Sequence, residues 1–265
     1  NQETLEAQGY HFIAPAYGDL ACGWQGQGKL PDPHEILLAA QALFGRQDLA
    51  GKTLLVTAGP TREEIDPVRF LSNYSSGKMG YAIAAAASHR GARVVLVSGP
   101  VNLPEPHGVE TIQVVSAMEM HQAVMAEAEH ADIIIKAAAV ADFRPTTCCE
   151  QKVKKGSSET MMVELQRNPD ILAELGEKKG SRILIGFAAE TEELLKNARE
   201  KLTRKNLDMI VANDVTQEGA GFDGDTNIVR FLSADGSVEE LPEMSKVLVA
   251  ETLLDRVSAL LPKAC

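Results

Sequence analysis

Four clusters of residues have the types and spacing to hold a small anion. The first is Asn73-Tyr74-Ser75-Ser76-Gly77-Lys78, between the apolar run Thr53-Leu54-Leu55-Val56-Thr57 and an alanine-rich stretch from Tyr81 to Ser88. A buried strand, a glycine-punctuated loop and a helix start would aim unpaired N–H groups and the helix dipole at one point, which suits phosphate. A serine of the Ser75-Ser76 pair is expected to cap that helix. Asn73 is either a group of the reacting centre or a residue satisfying a turn. The second cluster, Ala137 to Phe143, places small residues at a strand end, where backbone amides and carbonyls can read a base edge. Within it, Asp142 can accept from a ribose hydroxyl, hold Mg²⁺, or cap a loop. The third, Lys152-Val153-Lys154-Lys155, is a basic run in a polar loop, a composition that is usually a solvated flap. In the fourth, Lys201 and Lys205 share one helix face by i,i+4 spacing and repel unless an anion or water lies between them. Taken alone, these two are surface lysines and Phe187 is core.

The common nucleotide patterns do not fit. Lys78 is followed by Met79, so there is no phosphate-loop Lys-Ser/Thr, and a long loop separates Gly59 from Gly77. The second strand ends in Ser98-Gly99-Pro100 without the acidic residue that a dinucleotide's ribose would need, which disfavours NAD. A net charge of −11 excludes a general nucleic-acid binder. No apolar run approaches the roughly 20 residues of a membrane span. There is no basic segment followed by an apolar one at the N-terminus, so the chain reads as cytoplasmic. Cys22, Cys148, Cys149 and Cys265 have no paired C-x-x-C spacing, and the adjacent pair reads as ordinary loop thiols.

Apolar runs predict strands near 53–57, 93–98, 132–137, 183–187 and 208–212, with helices near 78–90, 117–129, 170–178 and 191–205 between them. Such alternation predicts an α/β fold: a Rossmann-like, doubly wound, mostly parallel sheet. Asn227 to Leu241 reads as a C-terminal β-hairpin, and 245–261 as a closing amphipathic helix. A further strand is expected at 160–165, and a short helix at 34–44 after Pro31-Asp32-Pro33. In such sheets ligands sit beyond the carboxyl ends of the strands, where the clusters fall.

TAGPTREEIDPVRFLSNYSSGKMG (57–80), AAAVADF (137–143), KVKK (152–155) with NPDIL (168–172), and GFAAET (186–191) with KLTRKNLDMIVAND (201–214) together resemble the phosphopantothenoylcysteine synthetase family, the ligase half of a bifunctional coenzyme A flavoprotein. The likeness spans about Gly51 to Leu261. It implies ligation of 4′-phosphopantothenate to L-cysteine through an acyl-cytidylate, with CTP cleaved to CMP and pyrophosphate and with Mg²⁺ assisting. It also implies that Asn73 belongs to the catalytic site and that Lys152 meets the nucleotide from a mobile flap. The nucleotide site would comprise Ser75, Ser76, Gly77, Ala137, Ala138, Asp142, Pro169, Asp170, Ile171, Leu172, Phe187, Lys201 and Lys205. A homodimer is implied as well. An ATP-using relative and a non-catalytic nucleotide-binding module remain the alternatives.

Residues 1–45 resemble the last segment of the partner decarboxylase, in which Ala21-Cys22-Gly23 would be part of a substrate clamp, although Trp24 stands where an acid is usual. The expected division is therefore 1–50, a decarboxylase tail plus linker, and 51–265, the synthetase. No flavin is expected in this chain, and a decarboxylase domain is expected in a full-length form.

Overall fold

The computed structural model describes residues 1–19, 23–31, 33, 36, 37, 40, 45–154, 159–190, 193–214, 221 and 223–262, in two units, Asn1–Arg46 and Gln47–Cys265. The first unit contains a short helix, α1 (Gln2–Glu6), and an antiparallel hairpin of β1 (Ala16–Asp19) and β2 (Gln25–Lys29). Ala21, Cys22 and most of the expected 34–44 helix lie outside the described residues.

The second unit is organised on β3 (Thr53–Ala58), in which Leu54, Leu55, Val56, Thr57 and Ala58 are all fully buried. Alternate side chains of a strand face opposite ways. Leu54, Val56 and Ala58 therefore enter one core and Leu55 the other. A strand covered on both faces is apolar at nearly every position, and that makes this run recognisable.

Chain order then runs through β4 (Arg62–Asp66), β5 (Arg69–Ser72), helix α2 (Lys78–His89), β6 (Arg93–Ser98), β7 (Val109–Gln113), α3 (Ala117–Ala128) and β8 (Ile133–Lys136). It continues with β9 (Phe143–Pro145), β10 (Leu165–Arg167), α4 (Ile171–Glu177), β11 (Ile183–Glu190), α5 (Leu194–Arg204) and β12 (Met209–Asp214). The last elements are β13 (Thr226–Asn227), β14 (Val229–Ser233), β15 (Val238–Glu240), β16 (Met244–Ser245) and α6 (Lys246–Leu260).

The main sheet has the order β15-β14-β12-β11-β8-β3-β6-β7. It is parallel from β7 to β12, with β14 and β15 added antiparallel, so the fold is α/β with a mostly parallel, doubly wound sheet and a C-terminal hairpin. The chain runs outward from β3 to β7, then returns to β8 on the other side of β3. That reversal opens a crevice at the strand ends.

Helices α2 and α6 cover one face, and α3, α4 and α5 the other. The starts of α3, α4 and α6 are capped by side chains: Ser116 Oγ accepts from Glu119 N, Asp170 from Ala173 N and Ser245 from Leu248 N. At the far end of α2, Arg90 is 4% exposed and its guanidinium binds Asp48 and Asp255, with Glu251 alongside. This clamp joins α2, α6 and the segment before β3, where Leu49 is fully buried.

Three local expectations are corrected. Residues 59–74 are not simply a loop, because β4 and β5 form an antiparallel hairpin within them. The strand expected at 160–165 begins only at Leu165 and pairs with β9. No serine caps α2: its N-cap is Gly77 at φ 77°, a left-handed conformation suited to glycine, and Ser75 Oγ accepts from Gly77 N instead.

Gly80 shows why α2 starts so close to β3. A Cβ there would lie 2.6 Å from Ala58 Cβ and 2.9 Å from the Thr57 carbonyl oxygen, and neither can swing aside. Gly80→Ala is therefore expected to lower urea-unfolding stability by about 1–3 kcal/mol. An unchanged midpoint would mean that the helix start can retreat without cost.

Candidate functional site

The crevice between β3 and β8 holds a cavity of about 460 Å³ whose walls include Asn73 to Gly80, Lys136 to Val140 and Asp142. That volume lies in the range of small-molecule sites. One wall is the first turn of α2, where Lys78, Met79 and Gly80 lack the preceding turn's carbonyls. The cavity thus presents donors and a positive dipole end to any phosphate.

The small-residue loop opposite is held rigidly. Buried Thr57 and Thr61 accept from the amides of Ala138 and Ala141 at 3.1 and 3.0 Å, and Ala139 N donates to Gly59 O at 2.9 Å. Ala137 N donates to Thr57 O. The amides of Ala137, Ala138 and Ala139 are therefore committed within the protein, and the expectation that these amides read a base edge is corrected. The small side chains supply close approach instead. Asn73 Nδ2 donates to Val140 O at 3.1 Å and ties the α2 loop to this one.

A second cavity, of about 350 Å³, shares Lys136, Val140 and Asp142 with the first and is walled by Phe143, Arg167 to Ile171 and Lys205. Asn168 shapes it by donating to Ala141 O at 2.8 Å while accepting from Arg144. Asp142 lines both cavities, and its carboxylate has no partner among the described residues.

The sequence-selected residues divide between the two spaces. Asn73, Ser75, Ser76, Gly77, Ala137, Ala138, Phe187 and Lys201 line the first, whereas Pro169, Asp170, Ile171 and Lys205 line the second. Leu172 lines neither; it is buried beneath Gly186, where an added Cβ would meet it at 2.8 Å. Lys152 also lies outside both. The neighbouring Val153 fastens that segment to the β4–β5 hairpin, its N–H donating to buried Asp66 and its carbonyl accepting from Arg69. The Arg69 guanidinium, helped by the Val153, Val68 and Arg69 amides, holds the Asp66 carboxyl well below the usual carboxylate range.

No anion is required between Lys201 and Lys205. Lys205 is matched by Asp170 at 2.8 Å, and Lys201 belongs to the other cavity. Burial would raise the Asp170 carboxyl, but Lys205 and the Ala173 amide hold it below its ordinary value.

Several wall residues were not selected from sequence. Lys136 lines both cavities. Lys246 is 5% exposed, and its ammonium, lowered by burial and then by Lys78, donates to the carbonyls of Gly221 and Gly224. Lys78 binds Asp225 and the Asp223 carbonyl, each at 2.7 Å. Buried Asn227 adds an Oδ1 that has no partner among the described residues. A lysine inside a strand-like apolar run was the available signal for Lys136. Asn227 and Lys246, far along the chain, carried none.

A Rossmann-like sheet with an open helix start at its crevice defines the α/β class of this protein, and residues 49–261 match the DNA/pantothenate metabolism flavoprotein C-terminal domain. The chain belongs to that family. The coenzyme A biosynthesis bifunctional protein CoaBC of Bacillus subtilis is 52% identical over 98% of this chain and 65% of its own length. The Escherichia coli K12 protein of the same name is 45% identical over 97% and 64% respectively. This chain thus spans just under two thirds of these curated relatives. A crystal structure of the C-terminal domain of a CoaBC protein, 47% identical, has a TM-score of 0.70 and covers 81% of this chain and 97% of that one. A Streptococcus pneumoniae DNA/pantothenate metabolism flavoprotein, at 24% identity and a TM-score of 0.67, shares the fold.

Proposed function

We propose that this chain ligates 4′-phosphopantothenate to L-cysteine as a step of coenzyme A biosynthesis, using CTP. A carboxylate is a poor acyl donor, so it must first be activated. In this reading its oxygen attacks the α-phosphate of CTP, pyrophosphate leaves, and the cysteine amine then expels CMP from the acyl-cytidylate. The observation that carries the reading is the pairing, in one crevice, of an unpaired helix start with Asn73 and lysines on its walls. It supplies donors for phosphate beside a neutral amide suited to a developing oxyanion. The relatives' names, which place them in coenzyme A biosynthesis, support the substrate assignment.

Among the described residues no group of three or more His, Cys, Asp or Glu could hold a metal. Mg²⁺ commonly takes one or two carboxylates and completes its sphere with substrate phosphates and water. Asp142, uncommitted and on both cavity walls, fits that pattern. When bound there, Mg²⁺ would offset phosphate charge. Ser75, Ser76 and Gly77 would cradle phosphate and Asn73 would orient the acyl group. Lys152 would reach the nucleotide from its segment, with Val153 as the anchor.

The reading extends to a homodimer, a cytoplasmic setting, and residues 1–50 as a decarboxylase tail whose full-length form carries the flavin domain. Among the described residues, no helix is long and apolar enough to cross a membrane.

Pyrophosphate release is the test, measured with CTP and with ATP, with and without 4′-phosphopantothenate. Release with CTP that requires phosphopantothenate is expected. Release with ATP instead would select the ATP-using form, and nucleotide binding without any release would leave only a binding module.

A further inference from the structure

The two cavities meet at Lys136. It ends β8, in register with Thr57 of β3 on one side and Gly186 of β11 on the other, at the reversal of the sheet. Its partly buried side chain lines both spaces. Lys201 and Lys205 face it from α5 and its C-terminal end, Asp170 from the start of α4, and Asp142 from the loop after β8. Asp170 is already bound to Lys205, and no carboxylate among the described residues comes within ion-pair reach of the Lys136 ammonium. A partly buried cation with no carboxylate at ion-pair distance relies on cavity water until a ligand supplies the counter-charge.

We propose that the Lys136 ammonium binds a phosphoryl group of substrate at the junction of the two cavities. The contact rests on the ligase reading and gives Lys136 a specific role that reading does not assign. The phosphoryl group belongs either to the nucleotide or to 4′-phosphopantothenate. Burial, and then repulsion from Lys205, lowers the ammonium to about 8. A bound phosphate opposes both effects, so the bound form holds its proton more tightly than the free form. Affinity is then fully present below about pH 8 and declines as pH rises above it.

Calorimetric titration of the full chain with CTP, and separately with 4′-phosphopantothenate, tests this at about pH 7 and about pH 8.5. Two buffers of different protonation heat report proton uptake. Lys136→Met is expected to bind one of the two ligands about 10–100-fold more weakly, and Lys136→Arg to restore most of the loss. The ligand that moves identifies the source of the phosphoryl group. At the higher pH, the unsubstituted protein should take up a fraction of a proton on binding that ligand, and the methionine variant none. Should the methionine variant prove unfolded by circular dichroism, uptake by the unsubstituted protein set against the arginine variant decides. Equal affinities for both ligands with unchanged proton uptake would overturn the proposal and leave the ligase reading standing. An unsubstituted protein that binds neither ligand and releases no pyrophosphate would overturn both.

Discussion

Asn73→Ala is expected to retain CTP and 4′-phosphopantothenate binding yet form amide about 10²–10³ times more slowly. The side chain stands on the wall of the larger cavity beside the α2 N-terminus, with one amide hydrogen spent on Val140 O at 3.1 Å. Its second amide hydrogen and its Oδ1 have no partner among the described residues. A neutral donor in that place can polarise the acyl carbonyl as cysteine attacks, a contact that strengthens as charge develops on oxygen. Interactions of that kind alter kcat more than ground-state affinity. Rapid-quench measurement would follow pyrophosphate and amide separately, and acyl-cytidylate should accumulate if the second half-reaction suffers more. The tether to Val140 predicts a different pattern: affinity, thermal midpoint and both half-reactions would fall together. Unaltered amide formation would reduce Asn73 to the tether.

The largest expected effect on stability is at Arg90. Its guanidinium is almost wholly enclosed and is the shared counter-charge of Asp48, Asp255 and Glu251, whose side chains are 31%, 37% and 43% exposed. Arg90→Met keeps much of the apolar stem but leaves three carboxylates facing one another. Removing one partner of a buried ion pair typically costs about 3–5 kcal/mol, and the openness of these carboxylates to water places this case near about 3. Urea unfolding near neutral pH should register it, and a loss below about 1 kcal/mol would show that solvent had already screened the cluster. Arg90 hydrogen bonding outweighs burial and holds the Asp48 carboxyl below its ordinary value of 3.8. A depressed carboxylate contributes fully above its unfolded pKa, and the contribution is lost as pH falls through the folded one. The gap between the variant and the unsubstituted protein should therefore narrow in acid.

How much was legible in advance depended on how local each cause is. The strands at 53–58 and 93–98 announce themselves because a strand buried on both faces carries an unbroken apolar run at its centre, and the expected spans agree closely with β3 and β6. The alternation of strands and helices follows from the same local rule, so the α/β class and the C-terminal hairpin could be read directly. The hairpin at β4–β5 escaped because its mixed, half-exposed residues carry no clean period, and β7 lies at a sheet edge with a similarly mixed pattern.

At the crevice the division is sharper. Residue types and spacing alone pointed to a helix start after the Asn73 loop, because a helix start exposes amides wherever it occurs. Only the tertiary structure decided which groups remain free to use there. It spends the Ala137, Ala138 and Ala139 amides on Thr57 and Gly59, pairs Lys205 with Asp170, turns Leu172 into core, and brings Lys246 and Asn227 to a wall begun by residues near 75. Periodicity reports burial, a property of one segment at a time. A hydrogen bond or ion pair depends on two segments meeting, and Lys136 stands between two cavities because β8 lies beside β3 at the reversal of the sheet.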